Sequence, residues 1–219
     1  MNYTLLKDLI QLTENFEMQN QKQYYSADLD GFKQWLYDGM KDNGAPEPDW
    51  EGKENGRSAE SVINTLIVHM NRYAKTYSRS AIHGSAFSTQ EEFIYLINLR
   101  AFGPMGKMEL IKKNVQDKPV GMQIVNRLLQ EGWVTQRDSQ TDKRSKIIRI
   151  TQKGLRTLER QMDKIRQATR VVTGDLTHHE KMQLIELLDK LDRFHRPIFS
   201  RNMESADLLE EVISSYLPA

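Results

Sequence analysis

At Gly132 the hydrophobic period of this chain changes, and that change limits its folds more than any other feature. From Ser58 to Glu131 apolar residues recur every three or four positions, the spacing of amphipathic helices. After Gly132, Trp133-Val-Thr-Gln-Arg-Asp138 and Lys146-Ile-Ile-Arg-Ile-Thr151 are β-branched runs flanking the polar stretch 139–145, the pattern of a hairpin. Helical periodicity resumes from Thr151. The expected fold class is therefore mainly α with a small β-hairpin wing.

The helices can be bounded from their punctuation. Residues 2–20 and 28–40 each carry one apolar side, the second with Asp28 as N-cap, and form an N-terminal helical extension over 1–43. Residues 44–57, with two Pro and three Gly, read as a linker. A long helix is expected over 58–84. The next starts at Ser88 with Glu91 completing a capping box and stops at Gly103-Pro104. A short basic helix from Gly106 to Val115 follows, then a turn, then a helix from Lys118 to Glu131 closed by Gly132 as a C′ glycine. Beyond the hairpin, a helix runs from Thr151 to about Val172. Another starts at Thr177, with Glu180 as its capping partner, and breaks at Pro197; a short one spans Glu204 to Tyr216.

Charge points to the same region. The whole chain is nearly balanced at +1, but Pro104 to Gly154 holds 11 basic and 5 acidic residues, whereas Met1 to Gly56 holds 5 and 11. A polyanion would meet the first of these segments. The absence of cysteine excludes disulfide scaffolds, thiolate catalysis and cysteine-ligated metal sites. No apolar run is long enough to span a bilayer and the N-terminus lacks a signal-peptide pattern, so a cytoplasmic location is expected, with no membrane contact.

Helix, helix, tight turn, helix and hairpin within a basic quarter is the order of a winged helix-turn-helix, residues 88–154. At 100° per residue, Val120, Gly121, Ile124, Val125, Leu128 and Leu129 form the buried side of the helix after the turn. Met122, Gln123, Asn126 and Gln130 lie opposite, with Arg127 on the flank. Gln and Asn match the donor and acceptor of adenine in the major groove; Arg matches guanine or a phosphate. Lys112, Lys113 and Lys118 add cations beside this face, and Arg137, Asp142, Lys143, Arg144 and Lys146 occupy the hairpin and its tip. An exposed loop of this kind reaches phosphates or the minor groove.

The stretch Val125-Asn-Arg-Leu-Leu-Gln-Glu-Gly-Trp-Val134, followed by Asp142-Lys-Arg144 and Ile147-Ile-Arg-Ile-Thr-Gln-Lys-Gly154, resembles MarR-type transcriptional regulators over roughly Ser58 to Phe194. The resemblance implies a MarR-like domain over 58–219, with dimerisation helices at 58–84 and 155–195 and a tail over 196–219. It implies a homodimer binding a pseudo-palindromic operator in double-stranded DNA. By resemblance Arg144 is the wing arginine, Asp142 orients it, and Gln123, Asn126 and Arg127 occupy recognition-helix positions. The long N-terminal extension departs from the pattern, as does the turn Val115-Gln-Asp-Lys-Pro119, which has neither glycine nor serine.

The family's usual effector is a small aromatic or phenolic molecule. His69, Tyr73 and Tyr77, on one face of the 58–84 helix, either line such a pocket or pack as ordinary core. Catalysis is not expected: the His178-His179-Glu180 cluster points in divergent directions, Glu180 reads as a cap, and nothing calls for a metal or other cofactor. The remaining alternative is a winged-helix protein–protein adaptor without sequence-specific DNA readout.

Overall fold

The computed structural model describes residues 3–21, 24–42, 48–139 and 145–217, and these fall into two compact units, 1–63 and 64–219. In the first unit, helices α1 (Tyr3–Gln19) and α2 (Leu29–Asp42) close on an aromatic cluster. Phe16, the buried residue of α1, lies 5.4 Å from Phe32 and 5.5 Å from Trp35, ring centroid to centroid. Asp28 caps α2 by accepting from the Gly31 and Asp30 amides. The Gly31 amide and then the Ser26 hydroxyl hold its carboxyl below the usual range. Residues 53–55 form a single 3₁₀ turn, and the Trp50 indole donates to the Arg57 carbonyl at 2.8 Å.

The long helix α3 (Ala59–Ile82) begins in the first unit and continues into the second, which holds the rest of the elements. These are α4 (Gln90–Phe102), β1 (Met105–Gly106), α5 (Lys107–Lys113), α6 (Lys118–Gln130), β2 (Val134–Asp138), β3 (Lys146–Ile150), α7 (Gln152–Val172), α8 (His178–Ser200) and α9 (Ser205–Tyr216). The strands form one antiparallel sheet in the order β1-β3-β2, with Arg137 opposite Ile147 and Asp138 opposite Lys146. The expected hairpin is thus two strands of three. β1, at two residues, is too short to show any period in the sequence.

The core is built from the helix-turn-helix and the sheet together. Tyr95, Leu96, Leu110, Ile111, Val125, Leu128, Ile148 and Leu158 are all 0% exposed. Trp133, 1% exposed, packs edge-on to Phe87 at 5.0 Å. At the end of α6, Gly132 takes φ 67°, the left-handed conformation that a side chain disfavours. The Gly132 amide donates to the Leu129 carbonyl and the Trp133 amide to that of Leu128, both at 3.0 Å, a Schellman cap. The Thr151 hydroxyl donates to the Gly132 carbonyl and accepts from the Gly154 amide, so one residue caps α7 and fastens it to the start of the wing.

Two boundaries differ from expectation. The N-cap of α4 is Thr89, one residue later than Ser88, and the buried Glu92 accepts from the Ser88 amide. α8 runs through Pro197 to Ser200, because proline removes one amide donor but an exposed helix can lose one bond without ending. The capping box at Thr177 and Glu180 is present, with the Thr177 amide donating to the carboxylate at 2.7 Å. That occupation, led by the Thr177 hydroxyl, lowers the Glu180 pKa from its ordinary value.

Candidate nucleic-acid interface

Helix α6 is set down on α5 unusually closely. A Cβ added at Gly121 would lie 2.5 Å from Cγ2 and 2.7 Å from Cγ1 of Ile111, so only glycine permits this approach. α6 begins with Pro119 in its first turn, where proline's missing amide costs nothing. The preceding turn is strained: Val115 sits at φ 51°, a region that β-branched residues rarely adopt. Bonds from α4 hold it on both sides. Asn98 donates to the Asn114 side-chain oxygen at 2.7 Å, and Gln116 donates to Glu91 at 3.2 Å.

This packing decides which side chains face outward. Gln123, Asn126 and Gln130 are exposed along α6, and Lys118 is exposed at its first residue. Two expectations need correction. Met122 is half-buried against the core: it lies on the flank of α6, where its flexible thioether folds over the apolar edge. Val120 is 44% exposed, because the closest approach to α5 falls at Gly121 and the next position, 100° away, turns to solvent.

The cations fall into distinct environments. Lys112 is exposed, whereas the Lys113 ammonium sits 3.6 Å over the Phe102 ring. Arg137 is exposed on β2. Lys146 is ion-paired with Asp138, its direct cross-strand neighbour. Arg127 is 44% exposed, yet its guanidinium is engaged by groups of its own domain. Its Nε lies 3.5 Å from Glu92, its Nη2 3.2 Å from Glu131, and Nη2 donates to the Ser88 hydroxyl at 3.3 Å. Asp142, Lys143 and Arg144 lie outside the described residues. Ser88 was read only as a helix cap, and Glu92 and Gln116 were not singled out in the sequence; the only signal for Glu92 there is its place beside Glu91 after a capping residue.

His69, Tyr73 and Tyr77 do not pack as core. All three are exposed, Tyr73 at 53%, with the His69 and Tyr73 rings 6.3 Å apart. They share α3 with other uncovered apolar side chains, and α8 exposes Ile185 at 57% and Leu187 at 61%.

A family model described as "MarR family" matches residues 88–145, the span from just ahead of α4 to the start of β3. The transcriptional repressor NicR of Pseudomonas putida is 30% identical over 132 residues, which cover 60% of this chain and 82% of the repressor. This chain belongs to the MarR family of transcriptional regulators. Solved MarR-type structures agree in fold. A cysteine-to-serine mutant of E. coli MarR, complexed with operator DNA, aligns at TM-score 0.56 and 21% identity, covering 66% of this chain and 99% of that one. BpsR of Bordetella bronchiseptica, whose DNA binding is regulated by 6-hydroxynicotinic acid, aligns at 0.56 and 19%, covering 66% and 97%. In this fold α6 is the helix that follows the turn, and β2 with β3 forms the hairpin after it. No helix among the described residues is long and apolar enough to cross a membrane.

Proposed function

We propose that this MarR-family regulator is a cytoplasmic homodimer, without catalytic activity, that reads a pseudo-palindromic operator through one α6 helix in each half-site. The observation that carries the reading is the outward row Gln123, Asn126 and Gln130 on a helix fixed from behind at Gly121, within the basic segment of the chain. Gln and Asn in the major groove select adenine by paired donor and acceptor bonds, while Lys112, Lys118, Arg137 and the wing-tip Lys143 and Arg144 engage phosphates and the minor groove. The domain limits follow: a helical extension over 1–43, a connecting stretch over 44–57, and the regulator proper over 58–219.

Uncovered apolar side chains on α3, α8 and α9 support the homodimer, since Leu66, Leu187 and Leu209 are 54%, 61% and 71% exposed in the single chain. A two-fold partner that covers these helices sets the recognition helices about one DNA turn, roughly 34 Å, apart. It also encloses the face bearing His69, Tyr73 and Tyr77. These aromatic groups suit a small aromatic effector, the class to which BpsR's 6-hydroxynicotinic acid belongs.

The test is fluorescence anisotropy on duplexes selected from random DNA, titrated with salt, for the wild type, Gln123→Ala and Arg144→Ala. Saturable binding that weakens steeply with salt, with about 1–3 kcal/mol lost and sequence preference relaxed in Gln123→Ala, supports DNA readout. Absence of saturable binding to any selected duplex makes the winged helix a protein–protein adaptor. Light scattering at micromolar concentration should give twice the 25.6 kDa chain mass; a monomer overturns the dimer.

A further inference from the structure

Arg127 stands at a position of the recognition helix where a base or phosphate contact is the obvious assignment. The geometry points to a different role: we infer that Arg127 and Glu92 form an internal clamp that sets the recognition helix, and that Arg127 positions α6 without touching DNA. The inference rests on the reading of α6 as the DNA-reading helix.

Glu92 is the key residue. Its side chain is only 4% exposed, and a carboxylate at that depth is stable only with partners. It has two: the Ser88 amide donates to Oε2 at 2.7 Å, and the Arg127 guanidinium lies 3.5 Å from Oε1. Arg127 also bonds the Ser88 hydroxyl and pairs with Glu131 one turn along α6. One guanidinium fork therefore ties the first turn of α4 to the second half of α6, across 35 residues of sequence. Swinging Arg127 out to a phosphate would strip a buried anion of its counter-charge. Two carboxylates around the guanidinium also cancel the positive potential that would draw a phosphate to it. Glu131 and Ser88 are polar enough to hold the arginine in place when DNA approaches, so the clamp persists in the complex.

The connection extends to the α3–α4 joint. α3 ends at Ile82, and Ser88 follows six residues later as the clamp's hydroxyl and amide. The clamp therefore also engages the segment that joins α3 to α4. The three residues act as positioning groups for the reading helix.

The experiment uses the full chain with Glu92→Gln, Arg127→Met and the double variant. Operator affinity across a salt titration is measured together with hydrogen exchange of the α6 amides in DNA-free protein. The clamp predicts that each single substitution weakens operator binding by a similar factor, about tenfold, and that the double is no worse than the weaker single. It also predicts an unchanged salt slope in Arg127→Met, and faster α6 exchange to the same degree in all three variants. If Arg127→Met lowers the salt slope by about one contact while Glu92→Gln is silent, Arg127 touches phosphate and the clamp is overturned. Relaxed base preference in Arg127→Met alone overturns it equally, in favour of base readout. Should wild type bind no duplex, the DNA reading fails by itself. Hydrogen exchange then still decides the clamp: equal, non-additive acceleration of α6 upholds it, and unchanged or additive exchange overturns it.

Discussion

Replacing Gly121 by alanine sets two opposing effects against each other, and the structure says which wins. Alanine is the better helix former by about 1 kcal/mol in a helix interior. Its Cβ, however, would stand 2.5 Å and 2.7 Å from the two γ-carbons of Ile111 and 3.0 Å from its Cβ. Ordinary carbon contacts need about 3.5–4.0 Å, so α6 must retreat from α5 by about 1 Å. Ile111 cannot yield by rotation, since it is itself 0% exposed and surrounded by core. Retreat also loosens Val125 and Leu128, which lie on the same face of α6. Overpacking of this kind costs about 1–3 kcal/mol, which exceeds the propensity gain. The expected outcome is a net loss of about 1 kcal/mol, read as a lower urea midpoint with an unchanged slope. In an Ile111→Ala background, itself destabilised by about 2–5 kcal/mol, both γ-carbons are gone and only the contact with the residue 111 Cβ at 3.0 Å remains, which a shift of a few tenths of an ångström relieves. There the same Gly121→Ala change should stabilise by about 1 kcal/mol. A Gly121→Ala protein as stable as wild type, with no change of sign in the Ile111→Ala background, would refute the close-contact argument.

Two further outcomes follow from buried and strained groups. The Tyr95 side chain is fully buried and its hydroxyl has no hydrogen-bond partner among the described residues. Tyr95→Phe should therefore match or exceed wild-type stability at neutral pH, by up to about 1 kcal/mol. Burial first, and the Glu91 carboxylate second, push this phenol above its ordinary value. The folded state thus holds the proton more tightly than the unfolded chain does. Its contribution to stability is complete below pH about 10 and falls as pH rises beyond that value. Urea midpoints at neutral and alkaline pH should show a smaller alkaline loss in Tyr95→Phe than in wild type; identical losses would contradict the assignment. Val115→Gly relieves a β-branched residue at φ 51° and should raise stability by about 1 kcal/mol in the same assay, whereas a loss would show that the turn is not strained.

Much of this architecture was legible because it depends on local chemistry. Gly132 reads as a helix terminator, and Thr151 and Thr177 as N-caps, because each satisfies orphan backbone groups within a few residues of itself. The β-branched runs around residues 139–145 announce two strands in the same way. Tertiary effects were not legible. Ser88 and Thr89 can both cap, and Glu91 and Glu92 can both reach back; the choice is made by the burial of Glu92 against Arg127, which lies 35 positions away. A helical wheel places Arg127 toward solvent but cannot show two carboxylates waiting beside it. Met122 escaped for a related reason, since a long apolar side chain on a helix flank goes wherever neighbouring surface exists. His69, Tyr73 and Tyr77 read as core or pocket because a single sequence does not say how many chains share a stripe.

The turn before the recognition helix carries a consequence for how such a protein adapts to new operators. Val115 is locked in an unfavourable conformation with Asn114 and Gln116 each bound to α4. Three helices therefore meet at a joint with no slack. On the reading of α6 proposed above, a helix held this way cannot remodel itself around an imperfect half-site, so a mismatch shortens the lifetime of the complex without being accommodated. Divergence of target sequence must then proceed by exchanging individual outward side chains on a fixed frame, while tolerance in half-site spacing has to arise outside that frame.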